Sequence, residues 1–229
     1  MAALLASLLA ASLATPALAQ VSGGVAVQSD YRLRGYSISD GRAVGVLDLS
    51  YDHASGLYAN GSVIGGKGRS GDLDVVGLIG NVGYARRLND RLTLDTGVVQ
   101  TSRMQHYSPR TTGRYTEGYV GLNAGDLSAR ISYSPNYLRH GVKTLYGEIN
   151  AGVDTVAQLR LDGHLGYLAC VDAPAGQRCT DRIVWRIGAS RRFDRLELQA
   201  ALTGAEAPGG RDLRLDGNPA LTFGASWTF

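Results

Sequence analysis

The sequence predicts an all-β protein, a transmembrane antiparallel up-and-down β-barrel of about 12 strands with short periplasmic turns and longer extracellular loops. Three observations lead there. Apolar and polar residues alternate with period two from Val21 onward, with no helical period. The links between the alternating segments are short on one rim and long on the other. The final residues, LTFGASWTF, put Leu221, Phe223, Ala225, Trp227 and Phe229 on one face and Thr222, Gly224, Ser226 and Thr228 on the other.

The chain has 229 residues of uniform composition, with 31 Gly, 12 Tyr and only 3 Phe. A soluble core of this size would normally use more Phe to fill its volume. Lys and Arg number 23 against 20 acidic residues, a formal charge of +3. The charges are interspersed without a basic block, so nucleic acid is not an expected partner. Residues 1–19 form an apolar run closed by Ala17-Leu18-Ala19, an A-x-A cleavage pattern. They read as a secretory signal peptide cut before Gln20, leaving 20–229 as the barrel domain. No Lys or Arg precedes the run, a departure from type. An anchor helix is the competing reading, but the run is short of the ~20 residues that span a bilayer. Export implies an oxidising compartment, where Cys170 and Cys179 would close a local disulfide. Two cysteines with no nearby histidine do not complete a metal site, and neither metal nor cofactor is expected.

Twelve segments alternate, at 24–35, 43–52, 56–65, 73–85, 91–103, 115–124, 127–138, 144–153, 156–169, 182–193, 195–204 and 220–229. The links after even segments are tight, around His53-Ala54-Ser55, Leu88-Asn89-Asp90, Gly125-Asp126, Asp154-Thr155 and Phe193-Asp194. Those after odd segments are longer and rich in Gly, Pro and charge. One rim therefore carries turns and the other loops, as in outer-membrane barrels. The turns in YARRLNDRLTLDTG and ASRRFDRLELQAA resemble each other, through duplication or through independent use of good turn chemistry.

Alternation alone does not say which face points inward, because a soluble barrel and a membrane barrel use the same pattern inverted. Segment length favours the membrane: ~9–11 residues cross a bilayer with tilt, whereas soluble strands average ~5–6 residues. The apolar face carries Tyr31, Tyr51, Tyr84, Tyr133, Tyr167, Trp185, Trp227 and Phe229 near segment ends, the pattern of interfacial girdles. The terminal Thr222-x-Gly224-x-x-Trp227-x-Phe229 looks like the C-terminal assembly signal of Gram-negative outer-membrane proteins, which engages the outer-membrane assembly machinery. An ordinary closing strand of a secreted β protein is the alternative. On the membrane reading, Tyr31 and Leu33 face lipid. Asp30, Arg32, Arg34, Asp48, Asp95, Glu117, Arg130, Glu148, Arg160, Asp162, His164, Arg186 and Glu197 line the lumen.

At SDYRLRGYSISDGR, residues 29–42, the chain resembles the proteobacterial Gcw_chp family of predicted outer-membrane proteins. The matching residues are Ser29-Asp30-Tyr31, Arg34-Gly35, Ser37 and Ser39-Asp40-Gly41, with Leu33 in place of Phe. The hairpin at 47–61 also looks like the family. The resemblance implies an outer-membrane barrel and carries over no catalytic residue, since the family's biochemical role is not established.

The lumen carboxylates are placed to pair with lumen arginines across strands, as struts and as an ion-selective lining. Inward Gly97, Gly121, Gly152, Gly188 and Gly224 would leave space among them. A narrow polar channel for ions or small solutes, porin-like, is the leading expectation. A non-conducting scaffold is the alternative. Its loops, at Cys170–Cys179 or residues 204–219, would bind a surface partner, and Lys67, Arg69, Arg139 and Lys143 would meet lipopolysaccharide phosphates. A barrel-embedded lipid hydrolase would need His164, with Asp162 on its face, to activate Ser128, Ser132 or Ser190. No motif couples them, and no enzyme activity is expected.

Overall fold

The structure is a computed structural model that describes residues 20–68, 71–102, 113–155, 158–177, 179–207 and 218–229. Residues 1–19, where a signal peptide is expected, Arg69 and most of the two long links at 103–112 and 208–217 lie outside the described residues. Twelve strands close a barrel: β1 (Gln20–Gln28), β4 (Val44–Asp52), β5 (Leu57–Lys67), β6 (Leu73–Arg87), β7 (Thr93–Ser102), β8 (Tyr115–Ala124), β9 (Leu127–Ser134), β10 (Lys143–Asp154), β11 (Leu159–Asp172), β12 (Arg182–Phe193), β13 (Leu196–Glu206) and β14 (Ala220–Thr228). Two further strands, β2 (Arg32–Leu33) and β3 (Tyr36–Ser37), form a small separate hairpin inside the first long link.

Each strand pairs antiparallel with its chain neighbour, so every connection is a hairpin and the topology is up-and-down. Closure comes from β1, which pairs with β14 from Gly24↔Thr228 to Gln28↔Gly224 and with β4 on its other side. The backbone of Phe229 exchanges hydrogen bonds with Gly23, extending the seam by one rung. Among the described residues, closure leaves no open edge in the barrel wall, which a wall facing hydrocarbon requires.

The exposed large side chains share one parity on each strand except β6, where Leu73 precedes a bulge and Val82 and Tyr84 follow it. Examples are Leu47, Leu49 and Tyr51 on β4, Leu145, Ile149 and Val153 on β10, and Leu221, Phe223 and Trp227 on β14. They form the outer band that a bilayer covers. Tyr51, Tyr84, Phe193, Trp227 and Phe229 lie toward the short-turn rim, with Tyr133 and Tyr167 toward the long-loop rim. A bulge where Ile64/Gly65 of β5 meet β6 shifts the parity of β6, so Val76 and Gly77 are both buried.

The first expected strand is displaced. β1 runs over Gln20–Gln28, not 24–35, and the chain leaves the wall at Ser29. Tyr31 and Leu33 do not face lipid. Both pack against the buried cluster of Tyr36, Ile38, Tyr115, Tyr137, Leu138, Tyr146, Leu168, Val184 and Ala205. Tyr31 also packs against a second cluster, Val44, Val46, Ile64 and Val76. Likewise β9 stops at Ser134, so the expected 135–138 extension instead carries Tyr137 and Leu138 into the first cluster. An apolar core thus sits inside the barrel at the long-loop end, built by wall residues and by an inserted loop.

The outward parity makes a direct prediction. Ile149→Arg, on the outer face at 53 % exposure, should lower folding stability in phospholipid vesicles by about 2–4 kcal/mol if it lies near the midplane. Asn150→Ser, one residue on and facing inward, should cost less, about 1 kcal/mol, the worth of its hydrogen bond to His164. Denaturant titration of the refolded barrel reads both.

Candidate functional site, a plugged lumen

The inserted loop is a tight hairpin. Arg34 and Gly35 both have positive φ, 50° and 78°, and join the paired Leu33 and Tyr36, the geometry of a type I′ turn. Glycine is needed at the second position for space as well as for φ. A Cβ on Gly35 would lie 2.5 Å from the carbonyl oxygen of Gly204 on β13. The hairpin tip is thereby pressed against the wall.

Asp30 organises the root of this hairpin. One carboxylate oxygen accepts from the hydroxyls of Ser37 (2.5 Å) and Ser39 (2.8 Å), and the other from Arg32 Nε (2.7 Å). Tyr31 N donates to Ser39 Oγ, and Gly41 N donates to Ser37 Oγ. Arg32 also donates to the carbonyls of Gly35 and Asn218, tying the hairpin to the link before β14. Burial pushes the Asp30 carboxyl up, but the Ser37, Ser39 and Arg32 bonds outweigh it and hold it below the ordinary carboxylate range. The stability this gives is present above the ordinary value and is lost as pH falls through the lowered one.

The tip reaches the opposite wall. Arg34 donates from Nη2 to Glu117 Oε2 on β8 at 2.6 Å. Its guanidinium carbon lies 3.9 Å from the ring centre of Tyr146 on β10, 5.3 Å from that of Tyr137 and 6.0 Å from that of Tyr115 on β8. In the reverse sense, Arg182 on β12 stands 4.8 Å over the ring of Tyr36 on the hairpin. Asp30, Arg32 and Arg34 are therefore inside the barrel, but not as a strand lining. They form the plug itself. The correction has a physical cause: period-two alternation continues through Gln28–Arg34, and only the Arg34-Gly35 turn reverses the chain.

Beyond the plug, the remaining expected residues lie on the inward parity of their strands. Asp95 accepts from Arg130 (2.9 Å) and Tyr58 (2.5 Å), and Tyr58 meets the Tyr119 hydroxyl. Arg130 stacks 4.1 Å over the Tyr119 ring. Asp162 pairs with Arg186 across β11 and β12. Arg160 pairs with Asp126 (2.7 Å) and Asp154 (3.1 Å), and Glu197 with Arg192 (2.8 Å). Asp48 accepts from Ser62 rather than from an arginine. His164 uses both ring nitrogens, on Tyr146 Oη (2.9 Å) and Asn150 Oδ1 (2.7 Å), with Glu148 4.0 Å away. That arrangement does not activate a serine. A recess of about 280 Å³ lies among Asp126, Asn150, Arg160, Asp162, His164 and Arg186.

The inward glycines do not leave empty space. A Cβ on Gly97 would meet Tyr119 Oη at 2.6 Å, on Gly152 would run into the Arg160 guanidinium, on Gly188 would meet the Asp162 carboxylate at 2.6 Å and on Gly224 the Gln199 amide at 2.7 Å. Gly121 has the Ala129 carbonyl at 3.0 Å and Arg130 Cβ at 3.4 Å. Tyr58 lies in the same way over Gly83, and Tyr146 over Gly166. Each of these glycines except Gly121 lets a long neighbour lie along the wall. Sequence reasoning passed over these inward tyrosines. Their signal was parity: Tyr115 and Tyr119 flank Glu117, and Tyr146 precedes Glu148 by two.

Cys170 and Cys179 are bonded, closing the link between β11 and β12. The same link touches the one between β9 and β10, through Gln177 to the His140 carbonyl and through Lys143–Asp172 at its base. Among described residues no three His, Cys, Asp or Glu side chains cluster as a metal site.

Solved structures share this architecture. The barrel matches the KdgM porin at TM-score 0.53 and 14% identity, covering 93% of this chain and 99% of that one. It matches the NanC porin at TM-score 0.53 and 11% identity, covering 92% and 99%. A TodX mutant, a monoaromatic hydrocarbon channel, matches at TM-score 0.50 and 11% identity, covering 92% and 90%. At such identities the likeness concerns the fold. No curated protein matches the sequence. The profile of Gcw_chp, bacterial proteins of unknown function, matches residues 12–218, and the chain belongs to that family.

Proposed function

We propose that the chain is an outer-membrane protein whose barrel holds a narrow polar channel for ions or small hydrophilic solutes, closed by its own first loop. The carrying observation is the contrast between the two halves of the lumen. Toward the long-loop rim, which we assign to the cell exterior, the hairpin and the wall bury Ile38 (0 % exposed) and Tyr36 (4 %). Toward the short-turn rim, the periplasmic side in this reading, the wall is a lattice of paired charges and tyrosine hydroxyls laid flat. Such a lining suits water and charged solutes. Besides this apolar packing, the plug is held by hydrogen bonds, ion pairs and ring contacts, all of which can re-form.

The rest of the assignment follows. Residues 1–19 direct export. The last strand, with Thr222, Gly224, Trp227 and Phe229, presents the assembly signal to the outer-membrane machinery. Lipid and lipopolysaccharide surround the outer band. The KdgM and NanC barrels are porins by name, which agrees with a conducting role.

One observation favours the second reading, a non-conducting barrel. The hairpin joins both buried clusters through Tyr31, as a permanent core would. Planar-bilayer recording separates the two. The wild type should show rare, small openings. Deleting residues 31–38 should raise conductance severalfold. A deletion variant that folds as a barrel yet never conducts would sink the channel reading. Gly35→Val should act as a milder opener, because its side chain meets the Gly204 carbonyl and its φ is unfavourable. Its expected signature is more frequent openings and faster proteolysis within residues 31–38, with the barrel itself intact.

A further inference from the structure

We infer that Tyr115, Tyr137, Tyr146 and Glu117 form a guanidinium-binding site, that Arg34 is its tethered occupant, and that small guanidinium solutes compete for it. Three rings and one carboxylate converge on the Arg34 head group, the nearest ring centre at 3.9 Å and the carboxylate at 2.6 Å. Aromatic cages of this kind recognise desolvated cations through the negative faces of the rings. The carboxylate adds the planar hydrogen-bonding that favours a guanidinium over a spherical ammonium.

The cage is also incompletely used. Arg34 engages Glu117 through one oxygen only. Arg34 Nη1 and Glu117 Oε1 are both buried without a hydrogen-bond partner. The side chain arrives from a turn held against Gly204, so its backbone limits how squarely its head group meets the carboxylate. A free guanidinium has no such tether and can pair both oxygens in the bidentate geometry that is strongest for this pair. What the tether supplies instead is proximity, an effective concentration on the order of millimolar. A soluble competitor must therefore reach tens of millimolar to displace Arg34, and far less to fill the cage once Arg34 is removed.

Cage occupancy is read without any current, so the result does not depend on whether the barrel conducts. In the full chain refolded in detergent, Arg34→Ala vacates the cage. Methylguanidinium should then raise its thermal midpoint by about 2–4 °C, whereas urea, its neutral planar counterpart, and sodium at equal ionic strength should not. Adding Glu117→Gln should abolish the gain. An unmoved midpoint in Arg34→Ala, or an equal gain in the double variant, would overturn the site. A second measurement keeps Arg34 in place. Leu33→Cys, beside the turn and packed on the cage cluster, should react with a thiol reagent severalfold faster at tens of millimolar methylguanidinium than in matched sodium chloride. No increase there overturns the competition even if Arg34→Ala fails to fold.

Discussion

A guanidinium held inside the barrel, away from bulk water, is the constraint on which the long-loop half of this molecule depends. The Arg34 and Glu117 side chains are 12% and 6% exposed. Neither charge is tolerable there alone, since removing one partner of such a pair typically costs ~3–5 kcal/mol. Their pairing therefore sets where the hairpin tip sits, and the tip sets the rest. Tyr115, Tyr137 and Tyr146 face it from two strands and a loop, Gly35 is held against β13, and Tyr36 is placed beneath Arg182. The neighbouring apolar cluster then excludes water, which strengthens the pair it surrounds.

The other half of the lumen solves the opposite problem, keeping polar groups paired without filling the space. Long side chains projecting from twelve strands toward one axis would collide or block it. Here glycine on one strand faces Tyr, Arg or Gln on the next, and the long residue folds over the gap. Tyr58 over Gly83, Tyr119 over Gly97 and Arg160 over Gly152 are instances on different strand pairs. The pairing brings Tyr58, Asp95, Tyr119 and Arg130, from four strands, into one network. Composition follows from this wall: many Gly and Tyr with few Phe describe a lumen lined by hydroxyl-tipped rings rather than a packed soluble core.

How much of this was legible depended on the range of the interaction. Eleven strands were readable to within a few residues because period-two patterning is local, the terminal one among them helped by its large, aromatic outward residues. The rim asymmetry needed only link lengths. The hairpin at 32–37 was not legible, because Asp30, Arg32 and Arg34 keep the alternation of β1 after the chain has left the wall. The turn signal was weak as well: a type I′ turn favours Asn-Gly, and here Arg34 takes the first position. What decides its conformation is the cage on β8, β10 and the link between β9 and β10, more than eighty residues along the chain from Arg34 in the case of Glu117. The same limit hid the glycine pairings, since register between strands is a property of the closed barrel. The inward tyrosines were within reach, because parity with Glu117 and Glu148 marks their face.

The two sets of contacts that hold the plug differ in a way that bears on motion. The Asp30 network is local, linking residues that lie two to nine positions apart. It shapes residues 30–41 into a unit whose internal bonds survive if that unit moves. The contacts of the tip, Arg34 with Glu117 and the tyrosines, Tyr36 with Arg182, and Gly35 with Gly204, all run to the wall. In the proposed opening, the tip contacts, the apolar packing and the Arg32–Asn218 bond would be lost, but not the hairpin's own structure. The SDYRLRG-to-SDG segment that resembles the family reads in these terms as one preformed element: Ser37 and Ser39 serve its root, Gly35 its turn, and Arg34 its latch. A covalent staple or a plug made only of apolar packing would offer no comparable division between the part that keeps its shape and the part that lets go.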